Sequence, residues 1–162
     1  MKSGPGSFFR RILWYLLLGF SLYWIGNILA VFPWLLSKTL GIITMFLSIF
    51  LWGYMSYYSL RRVPVSDRGK DTLAMSLCFL LTAVVQDYFL YAVYRDIPDE
   101  LYEFTTFLAY GLVALIPFPV RYIVLRKDTA GPTGTLPIAV LVGTAIIGIC
   151  SLILTLWSVR FW

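Results

Sequence analysis

Histidine is missing altogether from this 162-residue chain. Its absence excludes His-ligated haem, di-iron sites that pair carboxylates with imidazole, His-based zinc sites and nucleophiles activated by an imidazole base. Cysteine is nearly missing: Cys78 and Cys150 stand alone, with no CxxC pair, and read as small buried apolar residues. Neither a metal ion nor a redox cofactor has an evident ligand set, so no cofactor is expected. Serine hydrolase chemistry lacks its GxSxG turn. Gly69-Lys70 is not a phosphate loop either, because Pro64 occupies the place of the earlier glycine and Asp71 follows the lysine.

Charge is the other scarcity. Only 13% of residues are charged, about half the usual share in a soluble domain, while 60% are hydrophobic and 18% aromatic. A soluble fold of this length would leave too much apolar surface in water. The chain reads instead as an all-α, polytopic membrane helical bundle, built from apolar runs of the roughly 20 residues that a bilayer requires. Five such runs are expected, at residues 12–32, 39–60, 72–94, 104–125 and 136–159. Pro33 should end the first helix, with a tight turn at 33–38 leading into the second. Residues 1–11, rich in Gly, Pro and Ser and carrying Lys2, Arg10 and Arg11, read as a flexible basic arm before a single bundle domain at 12–162. An uncleaved signal anchor fits this arm better than a removable leader, since no small-x-small cleavage site follows.

Ten of the 13 basic residues fall at the N-terminus, at 61–70 and at 121–127, leaving only Lys38, Arg95 and Arg160 on the other side. By the positive-inside rule the N-terminus is expected in the cytoplasm and the C-terminus outside, in a plasma or inner membrane. A four-span alternative makes 104–125 re-entrant because of Pro117 and Pro119. Arg61, Arg62, Arg68 and Lys70 are expected on anionic cytoplasmic headgroups. Asp99 and Glu100 suit a helix N-terminus, and Thr135 is a plausible cap. No feature points to nucleic acid.

Aromatic rings gather near the ends of the runs. Trp14, Tyr15, Tyr54, Tyr57 and Tyr58 at one side, and Trp34, Tyr88, Tyr91, Tyr94, Tyr102, Trp157 and Trp162 at the other, read as interfacial belts. Small residues punctuate three runs: Gly19 and Gly26, Gly41, Ser48 and Gly53, then Ala139, Gly143, Ala145 and Gly148. Such residues allow close helix packing, within the bundle or against other membrane proteins or copies of the chain. Pro117 and Pro119 should kink the fourth run or make it a hinge.

One carboxylate stands out. Asp87 lies about 10 Å below the end of the third run by helical rise, where an unpaired charge costs at least about 2 kcal/mol. It must face the bundle or a cavity. Helical spacing puts Ala83, Asp87, Tyr91 and Tyr94 on one face, so Tyr91 is the expected donor to the carboxylate. Asn27, Gln86, Asp87, Tyr91 and one of Thr105 and Thr106 form a candidate polar pocket for a cation or small solute, with Lys38 or Arg95 reaching inward or Asp87 itself protonated. An aspartyl protease pair is not available, because Asp87 has no second intramembrane carboxylate in sequence. Two function classes follow. One is a non-enzymatic subunit, chaperone or regulator of a membrane complex; the other is a small transporter or channel using Asp87.

Overall fold

The computed structural model describes residues 5–128 and 137–159, with the side chains at 5, 6, 30–32, 34, 35, 38 and 45 outside that description. Lys2, Thr135, Arg160 and Trp162 therefore lie outside the described residues, as do the side chains of Trp34 and Lys38. Every regular element among the described residues is helical. Five helices are long and apolar enough to cross a membrane, at Ser7–Leu29, Thr39–Leu60, Arg68–Tyr94, Phe104–Val124 and Ile138–Ser158. The fourth is 21 residues long, enough for a full span.

Helix α1, Pro5–Leu36, starts with a proline where its missing N–H costs nothing. The expected flexible arm is thus helical from residue 5 onward. α1 also runs through Pro33, which was expected to end it, and the break comes at Ser37, whose extended backbone (φ −166°, ψ 134°) separates α1 from α2, Lys38–Leu60. A proline removes one helical hydrogen bond without forbidding the turns after it; the Pro33 carbonyl accepts the Ser37 N–H at 2.9 Å.

α3, Arg68–Asp87, begins four residues earlier than the apolar run, because polar partners described below hold its first turn. It continues without a break into a π-helical stretch, Tyr88–Tyr94. A 3-10 turn, Pro98–Tyr102, leads to α4, Phe104–Leu115. The fourth span then passes through a proline-bounded turn, α5, Pro117–Pro119, and ends in a π-helical turn, Val120–Val124. Backbone angles stay helical across the prolines. α6 is Ile138–Val159.

α1 is the central helix, packed against α2, α3 and α6. Trp14, Tyr15, Leu18 and Leu22 from α1 form the core with Trp52, Leu60, Met75, Phe79, Val120 and Leu125. This corrects the belt reading for Trp14 and Tyr15, each 1% exposed. The Trp14 indole donates to Ser59 Oγ at 2.9 Å, so its polar edge finds a partner inside the protein and the ring need not seek the headgroups. Tyr54, Tyr88, Tyr102 and Trp157 do present exposed rings near helix ends.

Two glycines set the helix spacing. A Cβ on Gly19 would run into the Thr82 hydroxyl, and one on Gly148 would lie 3.0 Å from the Ser21 Cα. The α1 backbone therefore approaches α3 and α6 closely, and Ser21 Oγ donates to the Thr144 carbonyl at 2.9 Å. Gly143, by contrast, faces open space.

Candidate functional site

The ion pairs gather four helix ends into one layer: the starts of α1 and α3 and the ends of α2 and the fourth span. Asp71, in the first turn of α3, is fully buried, and Arg11 Nε of α1 lies 2.6 Å from its Oδ2. Arg11 Nη2 donates to Asp71 Oδ1 at 3.2 Å, and the Tyr15 hydroxyl donates to Oδ2 at 2.5 Å. Arg11 also sits 3.7 Å from Asp67. Arg68 is equally buried and donates to the Val63 and Asp128 carbonyls. The expectation that Arg68 meets headgroups is thereby corrected: its guanidinium points inward and joins the 61–67 loop to the end of the fourth span. Arg61 pairs with Asp128 while remaining 44% exposed at its side chain, Arg62 stacks 3.5 Å from the Tyr58 ring, and Lys70 is exposed.

The other polar group surrounds Asp87, nearly buried at the last turn of α3. The Tyr23 hydroxyl of α1 donates to Asp87 Oδ1. Tyr110 of α4 stands near the same carboxylate. This acid of the third span is thus tied to the first, with the fourth beside it. Among the described residues it has no ion-pair partner; Arg95, expected to reach inward, lies 5.7 Å over the Tyr91 ring instead.

The remaining candidates divide. Asn27 is one turn beyond Tyr23 and its Nδ2 donates to the Tyr23 carbonyl at 3.0 Å, which leaves it beside the group. Gln86 is 7% exposed and spends its amide N–H on the Thr82 carbonyl at 2.9 Å, in its own helix. Tyr91 is electrostatically close to Asp87, yet the donor is Tyr23. The physical reason is the π-helical stretch, which begins right after Asp87: a wider turn rotates later side chains away from the i+4 position that an α-helix would give them. Thr106 donates to the Glu100 carbonyl and Thr105 is exposed, so neither joins the carboxylate.

Tyr23 and Tyr110 were not read from the sequence as site residues. A signal existed, since both lie well inside their spans, away from the ends where tyrosines serve as interface anchors. Among the described residues no cluster of three or more His, Cys, Asp or Glu side chains gathers as metal ligands would. Compared with family models, curated proteins and solved structures, the chain matches none. The site must therefore be argued on its own chemistry.

What that chemistry offers is binding and cohesion. A carboxylate that accepts from one phenol has acceptor capacity left over, because two oxygens provide about four lone-pair sites. No nucleophile and base stand together around it.

Proposed function

We propose that this protein is a non-enzymatic polytopic membrane protein that acts as a subunit, chaperone or regulator by packing against other membrane proteins. Its N-terminus lies in the cytoplasm and its C-terminus outside, in a plasma or inner membrane, with Arg61, Arg62 and Lys70 near anionic headgroups. The observation that carries the reading is where the polar groups inside the spans spend their bonds. Tyr23 serves Asp87, Ser21 serves the Thr144 carbonyl, Ser76 the Ala114 carbonyl and Tyr94 the Leu156 carbonyl. Each ties one helix to another. What the fourth and fifth spans present outward is apolar: Phe104, Phe107, Leu112, Ile146 and Ile153 are all exposed. In a bilayer such faces meet lipid or a neighbouring helix.

Purification from its native membrane in a mild detergent, with mass measurement of the intact species, tests this. A stable assembly with a second polypeptide is expected. A lone homo-oligomer that carries no partner would move the reading to self-assembly.

A second reading, transport of a cation, proton or small solute, is favoured by one observation, the Asp87 carboxylate set beside a π-helical stretch. Such stretches are frequent at functional sites, and an intramembrane acid is a functional candidate by default. Cation-dependent flux through the purified protein in vesicles, abolished by Asp87→Asn, would support it.

A further inference from the structure

Where the ion pairs gather, every carboxylate is already engaged. Of the chain's eight acidic residues only Asp67, Asp71 and Asp128 stand in this layer, and they pair with Arg11, Arg61 and Arg68. Lys and Arg at 10–11, 61–70 and 121–127 number nine. Positive charge is therefore in excess here, and some of it has no acceptor within the chain.

Arg121 is the clearest case. It belongs to the π-helical turn Val120–Val124, three residues inside the end of the fourth span, or roughly 5 Å by helical rise. Its side chain is half-buried, and its Nε is enclosed with no acceptor among the described residues. Among those residues no ion pair reaches its guanidinium, whose contact is the Tyr122 ring, 5.7 Å away. A fixed charge with five N–H donors is costly at that depth unless acceptors meet it. Arg62, just past the end of α2, repeats the pattern: one terminal nitrogen donates to the Tyr58 carbonyl at 2.8 Å, while its enclosed Nε has no acceptor among the described residues. α2 packs against the turn that carries Arg121, with Leu60 and Val120 in one core.

We propose that Arg121 and Arg62 form a docking site for the phosphate of one anionic phospholipid, seated where the end of α2 meets the end of the fourth span. A phosphate supplies the acceptors that the two guanidiniums lack, in the planar geometry they favour. The source is a lipid because of depth and surroundings. Arg121 lies within snorkelling reach of the headgroups, and its neighbours Tyr122, Ile123 and Val124 are exposed for acyl chains to cover. The headgroup is anionic because a zwitterionic one would bring its own cation into a layer already rich in positive charge. The site rests on neither functional reading and needs only that the helices cross a membrane.

Native mass spectrometry of the full chain, purified in a mild detergent and titrated with one phospholipid at a time, tests this. The probes are phosphatidylglycerol and phosphatidylcholine with identical acyl chains, each with and without excess inorganic phosphate. The wild type should take up its first phosphatidylglycerol at about tenfold lower concentration than phosphatidylcholine, and inorganic phosphate should not displace it. Arg121→Gln should abolish that preference, and Arg62→Gln should weaken it about fivefold. Lys127→Gln, which removes the same charge from an exposed side chain nearby, should weaken it less than either. The proposal is overturned if the wild type binds both lipids alike, if Arg121→Gln or Arg62→Gln leaves the preference intact, or if Lys127→Gln costs as much as Arg121→Gln, which would mark a diffuse field. Displacement by inorganic phosphate would overturn it too, by making the site one for free phosphate. Should Arg121→Gln fail to elute as a single species, Arg121→Lys, which keeps the charge and lacks the planar fork, is read by the same criteria.

Discussion

Arg11 and Asp71, sixty positions apart in the chain, meet at 2.6 Å inside the protein, with the carboxylate wholly shielded from solvent. A buried acid that accepts from a guanidinium and from Tyr15 binds the start of α1 to the start of α3. Removing one partner of a buried pair is more damaging than removing both, because it strands a charge.

Asp71→Leu should therefore destabilise the bundle by about 3 kcal/mol or more, and adding Arg11→Met should recover part of that loss. Thermal unfolding in detergent of the two single variants, the double variant and the wild type gives the coupling. Equal melting temperatures for Asp71→Leu and wild type would show that the pair contributes nothing.

Close helix approach makes a second contrast. Gly148→Ala puts a methyl group 3.0 Å from the Ser21 Cα, a backbone atom that cannot turn aside, whereas Gly143→Ala enters open space. The first substitution should cost about 1–3 kcal/mol by overpacking and the second should be near neutral. The same melting assay decides, and a Gly143→Ala protein as damaged as Gly148→Ala would contradict the packing of α6 on α1.

At Asp87 the shape and the charge can be separated. Asp87→Asn keeps an acceptor for Tyr23 and should retain the fold, while Asp87→Leu strands that phenol at about 1–3 kcal/mol. Melting temperatures should fall in the order wild type, Asn, Leu. If Leu is tolerated as well as Asn, the carboxylate is not the tie between the first and third spans.

Topology is testable in intact cells. Single cysteines at Lys70 and Lys127 should react with a membrane-impermeant thiol reagent only after lysis, and one at Asp99 should react before it, in a Cys150→Ser background. All three positions are exposed. Labelling of Lys70→Cys in unbroken cells would reverse the orientation.

What the sequence determined alone is the class of the molecule and its count of spans. Both follow from local quantities: the length of each apolar run against the thickness of a bilayer, and the cost of placing charges within it. Five runs were legible, and five helices of spanning length stand near those positions. Asp87 was legible as an anomaly for the same reason, since one carboxylate in an apolar run is visible without any neighbour.

Partners were not legible, because they depend on how each helix is rotated and where its backbone departs from ideal geometry. Tyr91 is four residues from Asp87 and would stack on it in an α-helix, but the π-helical stretch turns it aside, and Tyr23 takes its place from another helix. Arg68 read as a contact to lipid headgroups and Asp71 was given no partner, whereas Asp128, Arg11 and Tyr15 reach them from segments far along the chain and make them interior. Trp14 read as an interface anchor until Ser59 supplied its hydrogen bond. Transfer from water to membrane is a property of a segment and can be summed along the sequence. A hydrogen bond between helices is a property of two surfaces in register, and only the packed bundle decides which surfaces meet.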